Sequence, residues 1–179
     1  MRLKEGGQVE CVTDAEGQYQ VLFASGRKVV LTPGKARMTS VSGPWQVEFP
    51  PGWVAPERIV FPELISWTEH SEPGIKYFSG VATYRTTFHK EPSMQNERVL
   101  LDLGEIRFVG DVHVNGRLVG NLWTPPYELD ITEAVRDGEN ELLVRVANDW
   151  SNRLTGDARE PQLGTFTYTN IKNALASRV

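Results

Sequence analysis

VGDVHVNGRLVGNLWTPPYELDITEAVRDGENELLVRV, residues 109–146, reads as a strand, a two-residue turn, a strand, an aromatic–proline loop, a capped helical turn, a glycine turn and a final strand. Asn115-Gly116 separates two alternating segments, and Asn-Gly suits the positive φ angles of a type I′ hairpin turn. Asp137-Gly138-Glu139-Asn140 then turns the chain into residues 141–146. There Leu142, Val144 and Val146 alternate with Glu141, Leu143 and Arg145. The pattern is that of a β-sandwich suited to recognition, and it holds no catalytic constellation.

Working outward, the same punctuation continues. GVATYRTTF (80–88) and RVLLDL (98–103) read as strands, and SGPWQVEF (42–49) opens the main unit with Trp45, Val47 and Phe49 on one face. Residues 50–62 hold four of the eleven prolines and read as an irregular loop, and 65–72 as a short helical turn or a loop. Before residue 41, QYQVLFA (18–24) and KVVLT (28–32) flank Ser25-Gly26 and predict a hairpin, with linker character at 33–37. Short strands at roughly ten-residue spacing, almost without amphipathic helix, predict an all-β jelly-roll sandwich. The expected organisation is an N-terminal hairpin segment over 1–40, a sandwich over 41–157 and a polar tail over 158–179, ordered by a partner surface from about Gly156 onward.

Bulk properties narrow the function classes. The chain has 179 residues, a net charge of −4 and no basic run, which argues against nucleic acid and anionic membrane surfaces. No apolar run approaches the ~20 residues that span a bilayer. The N-terminus lacks the apolar segment of a signal peptide. Cys11 is the single cysteine, so an intramolecular disulfide and a multi-cysteine zinc site are excluded. No cofactor is expected. Loop carboxylates and carbonyls would suit a structural calcium, although no stretch has the EF-hand pattern.

The candidate binding residues lie in two clusters. Trp123 and Tyr127 bracket Thr124-Pro125-Pro126 between two strands. A Trp/Tyr pair on a proline-stiffened loop can stack on the apolar face of a sugar; equally, the prolines can stiffen a strand crossover while Trp123 caps the core. Asn148 to Arg153 leaves the last clear strand carrying Trp150, Asn152 and Arg153, whose directional donors suit hydroxyl-rich ligands. The alternative there is a polar loop end built of Asx turns. Trp45, on an alternating strand, is assigned to the core. No catalytic residues are assigned. Glycosidase chemistry asks for two carboxylates about 5–9.5 Å apart, whereas Asp130, Glu133, Asp137 and Glu139 each have a capping or turn role. His70, His89 and His113 are isolated, with no HxH or HExxH spacing.

These residues also carry a resemblance. Trp67-Thr68-Glu69-His70 with GIKYFSGVATY (74–84) resembles the opening of the galactose-binding-like, sugar-binding domain of glycoside hydrolases. Val114-Asn115-Gly116, Gly120, LWTPP (122–126), LDIT (129–132), Gly138-Glu139-Asn140 and Asn148 resemble its second half. The form is most similar to the C-terminal β-sandwich of family 106 α-L-rhamnosidases, and Asn152-Arg153-Leu154 with Gly156-Asp157 fits it; the family 2 sugar-binding domain is a more distant relative. The resemblance covers roughly residues 41–157. It implies a module of a larger, periplasmic or extracellular hydrolase whose catalytic carboxylates lie in a separate domain. The implied partners are carbohydrate and that catalytic domain of the same polypeptide. A structural module with no ligand, and a self-contained small glycosidase, are the competing expectations.

Overall fold

The structure is a computed structural model and describes residues 2–3, 9–10, 17–32, 37–92 and 98–168. The chain divides into two units, Met1–Ser40 and Val41–Val179. In the first, β1 (Arg2–Leu3) pairs with β2 (Val9–Glu10), and β3 (Tyr19–Leu22) with β4 (Lys28–Leu31), both antiparallel. Gly26, at φ 82°, turns the second hairpin in a backbone conformation that side chains with a Cβ resist.

The second unit is the sandwich. Its strands are β5 (Trp45–Glu48), β6 (Arg58–Phe61), β7 (Val81–Lys90), β8 (Leu100–Asp102), β9 (Val109–Val114), β10 (Arg117–Leu122), β11 (Glu128–Asp130) and β12 (Gly138–Ala147). Six of them form one antiparallel sheet in the order β10-β9-β12-β7-β5-β6. The facing layer is thinner than a second full sheet. It consists of the β8–β11 pair, a 3₁₀ turn at Trp67–Glu69 and the short helix α1 (Pro73–Lys76). A nine-residue helix, α2 (Ser151–Arg159), follows β12.

Alternation decides which residues enter the core. Val47, Ala82, Tyr84, Val112, Val114, Leu142 and Val144 point inward and are buried with Leu101, Ile75, Phe78 and Ile131. Trp45 is buried as expected. Aromatic rings dominate the end near α1, where Phe49 and Phe78 meet edge to face at 4.8 Å and Trp67 meets Phe78 at 5.4 Å. The outer face of the large sheet is polar. Arg85 lies 4.0 Å from Glu48 and 3.4 Å from Glu141, pairs that, being exposed, contribute little to stability.

Two segments differ from expectation. Residues 50–62 contain strand β6, because Pro56 and Pro62 bracket it rather than interrupt it and leave its amides free to pair with β5. The stretch from Asn148 to Arg153, read as a polar loop end or a binding cluster, runs into α2, which polar bonds rather than an apolar stripe hold in place.

Tyr84 makes a test of the core. Its hydroxyl accepts the Trp67 indole N–H, and burial pushes its pKa up to about 12. The unfolded chain loses that proton near 10. Stability should therefore be intact below the unfolded value and decline by roughly 2–3 kcal/mol as pH rises through the folded one. In Tyr84→Phe the alkaline decline should shrink, measured by urea unfolding across that range.

Candidate binding rim

The Asn115-Gly116 turn has φ angles of 51° and 77°, as a type I′ turn requires. Its side chain does more than turn the chain. Asn115 Nδ2 donates to Ala134 O at 2.9 Å and to Asn140 Oδ1 at 2.8 Å, while its Oδ1 accepts from Glu141 N at 3.0 Å. Asn140, 0% exposed, accepts from Arg136 N and donates to the carbonyls of Arg136 and Gly138 at 2.8–2.9 Å. The two sequence signals are thus one bonded network at one end of the sheet.

The opposite end carries the exposed aromatics. Gly110 of β9 lies between Leu122 of β10 and Val146 of β12, and Val109 lies opposite Ala147, which lies opposite Val81. Trp123 leaves β10 one residue after Leu122, and Trp150 follows β12 by three residues. Both therefore emerge at the same rim. Trp123 is 72% exposed and Trp150 53%, and Phe108, Val109 and Val81 beside them also present apolar surface. Phe108 sits at φ 77°, a conformation costly for a bulky residue. The loop that carries Trp123 contains the cis peptide Pro125-Pro126 and is tied down beyond it, where Leu103 N donates to Tyr127 O at 2.9 Å. Tyr127 itself is half-buried.

The other candidates face inward. Asn148 accepts from Gly80 N at 2.8 Å and donates to Phe78 O at 3.0 Å. Asn152 Nδ2 donates to Lys76 O at 2.8 Å and Phe78 O at 3.0 Å. Arg153 is 1% exposed. Its amide donates to Ser79 Oγ at 2.8 Å and its Nε to Asp157 Oδ1 at 2.7 Å. The directional donors read from the sequence are present, but their acceptors belong to the chain itself and bolt α2 to the 76–80 turn. The structure thus brings Trp123 and Trp150 to one rim and commits Asn152 and Arg153 to the fold. Phe108 was not among the residues singled out, since nothing in EIRFVG separates it from a core aromatic.

The carboxylates are bound up in similar pairings. Arg98 donates to Asp130 Oδ2 at 2.7 Å, and Asp130 Oδ1 accepts from the hydroxyl and amide of Thr132. The Thr132 hydroxyl, aided by Arg98, holds the Asp130 carboxyl below its ordinary value. Lys90 Nζ lies 2.5 Å from Asp137, and Asp111 accepts from Asn121 at 2.6 Å. Among the described residues no group of three or more His, Cys, Asp or Glu side chains is placed to hold a metal ion.

This sandwich belongs to the glycosyl hydrolase 2 galactose-binding domain-like family, whose model matches residues 71–178. The match begins later and ends later than the 41–157 span of the sequence resemblance. Among its relatives, a putative β-glucuronidase of Formosa agariphila is 40% identical over 159 residues, covering 87% of this chain and 14% of that protein. The solved structure of a rhamnosidase from Novosphingobium sp. PP1Y is 42% identical with a TM-score of 0.70, covering 77% of this chain and 13% of that one. A Ruminococcus gnavus β-glucuronidase shares the fold, at 22% identity and a TM-score of 0.54. The chain therefore spans about one-seventh of the length of the first two relatives.

Proposed function

We propose that this chain is a non-catalytic module of a larger α-L-rhamnosidase-like glycoside hydrolase, and that Trp123 and Trp150 contact saccharide at its rim. The observation that carries the reading is Trp123, the most exposed tryptophan of the sandwich, presented on a loop stiffened by two prolines. An exposed indole contributes little to stability and offers a flat apolar face, the feature a pyranose ring stacks upon. The exposed position also fits a site that a neighbouring domain of the same polypeptide completes. The non-catalytic part of the reading is supported by Asp130, Asp137, Asp111 and Asp157, each engaged by a cation, an amide or a hydroxyl rather than facing another carboxylate across a cleft.

Trp123→Ala should change stability by no more than about 0.5 kcal/mol, as expected for an exposed side chain. It should also sharply reduce the saturable change in tryptophan fluorescence that rhamnose-containing oligosaccharides produce in the unaltered chain. An identical titration in the two proteins, or none in either, would sink the assignment of saccharide contact to this loop.

A further inference from the structure

We propose that Trp53, Arg153 and Asp157 form a second site for a hydroxylated sugar ring, over which residues 164–168 fold as a covering strap. Recognition of such a ring requires a flat apolar face, an acceptor for one hydroxyl and a planar donor for its neighbours. All three are assembled here, and the strap occupies each in turn. The Phe166 ring stacks on Trp53 with centroids 5.4 Å apart and planes 22° apart. The Arg153 guanidinium carbon lies 4.9 Å from the centroid of the same ring. The Thr167 hydroxyl donates to Asp157 Oδ2 at 2.6 Å, and the amides of Phe166 and Thr167 donate to the same oxygen at 3.0 and 2.7 Å.

The strap is an imperfect occupant. Arg153 Nη2 is buried and has no hydrogen-bond partner. A phenyl ring has no oxygen to offer it, whereas a pyranose carries oxygens around its whole perimeter. A buried donor without an acceptor is costly, so exchange of Phe166 for a sugar ring satisfies a group that the covered state leaves unsatisfied. The strap also has a pivot: Gly164 lies at φ 96° and ψ 156°, a region open essentially to glycine alone. Phe166 remains 41% exposed, so its release uncovers only part of the ring.

The test uses a Trp123→Ala background, so that the rim contributes nothing and failure of the proposed function does not bear on it. Phe166→Ala and Thr167→Ala are added together, leaving Trp53, Arg153 and Asp157 intact. The probes are L-rhamnose and D-galactose, followed through the NMR signals of the Arg153 Nε–H and the Trp53 indole N–H. The opened variant should bind at least one of the two about tenfold more tightly than the covered parent, because a larger fraction of it is binding-competent. Both signals should shift on one isotherm. A folded opened variant in which neither signal moves with either sugar would overturn the proposal. In the covered parent, the sugar that binds should speed hydrogen exchange at the Phe166 and Thr167 amides by displacing them from Asp157. Unchanged exchange with both sugars would also overturn it, and this measurement decides the matter alone if the double variant does not fold.

Discussion

Asn140→Ala should lower the free energy of unfolding by about 4 kcal/mol, through loss of a buried amide whose removal strands several polar groups at once. The side chain makes four hydrogen bonds of 2.8–2.9 Å. Two close the Arg136–Gly138 turn from within, one restrains the amide of Arg136, and one reaches across to Asn115 in the neighbouring hairpin. Alanine leaves the carbonyls of Arg136 and Gly138 without donors and Asn115 without one of its acceptors. Asn140→Asp tests the donor half separately. It is nearly isosteric and keeps the acceptor, but it sets a carboxylate against two carbonyl oxygens, so its loss should be comparable. Urea denaturation reads both; a cost below about 1 kcal/mol for either would show that water replaces the amide at little expense.

Arg153→Ala should cost about 3 kcal/mol, the scale expected when one partner of a buried ion pair is removed. Arg153 is among the few buried charged side chains of the sandwich, and its loss also withdraws the guanidinium from the Phe166 ring. Burial alone would push the Asp157 carboxyl up. The hydroxyl and amide of Thr167, the Arg153 guanidinium and the Phe166 amide outweigh it, and the group is held below the ordinary value of 3.8. A depressed carboxylate contributes stability that is present above its unfolded-state pKa and lost as pH falls through the folded one. The chain should therefore lose stability in acid below about 3.8, and Asp157→Asn should flatten that limb while lowering the plateau at neutral pH. An acid limb unchanged in Asp157→Asn would mean that other carboxylates, Asp130 first, set the acid sensitivity.

How much of this could be read from the amino acids depends on how local each cause is. The Asn115-Gly116 turn was legible because its demand for positive φ falls on two adjacent residues. Trp45 was legible because a period of two places it beside Val47 and Phe49. Strand β6 was not, because its four residues lie in proline-rich sequence and only pairing with β5 reveals that the prolines flank it. Helix α2 was hidden for a different reason. Ser151–Arg159 has no apolar stripe, and its attachment runs from the Asn152 side chain to the Lys76 carbonyl and from the Arg153 amide to the Ser79 hydroxyl, more than seventy residues earlier. The same polar side chains that make a sugar site make a helix anchor, and spacing alone does not separate the two uses. Only the Arg153–Asp157 spacing of four hinted at a helix. At the rim, the Pro-Pro loop announced that Trp123 lies between strands, but not that Phe108 and Trp150 share its end of the sheet, which follows from register.

Strand β12 pairs along ten residues with β7 on one side and along six with β9 on the other, yet it is the last strand of the sheet to leave the ribosome. Until residue 147 has emerged, the nascent chain can close the local hairpins β5–β6 and β9–β10, but these two halves have nothing between them. The apolar faces of Tyr84, Val112 and Val114 wait in that interval, together with two unsatisfied backbone edges. Assembly is then a single late zippering event across long sequence separations, which predicts slow folding and a period of vulnerability during synthesis in which a holding chaperone has a defined target.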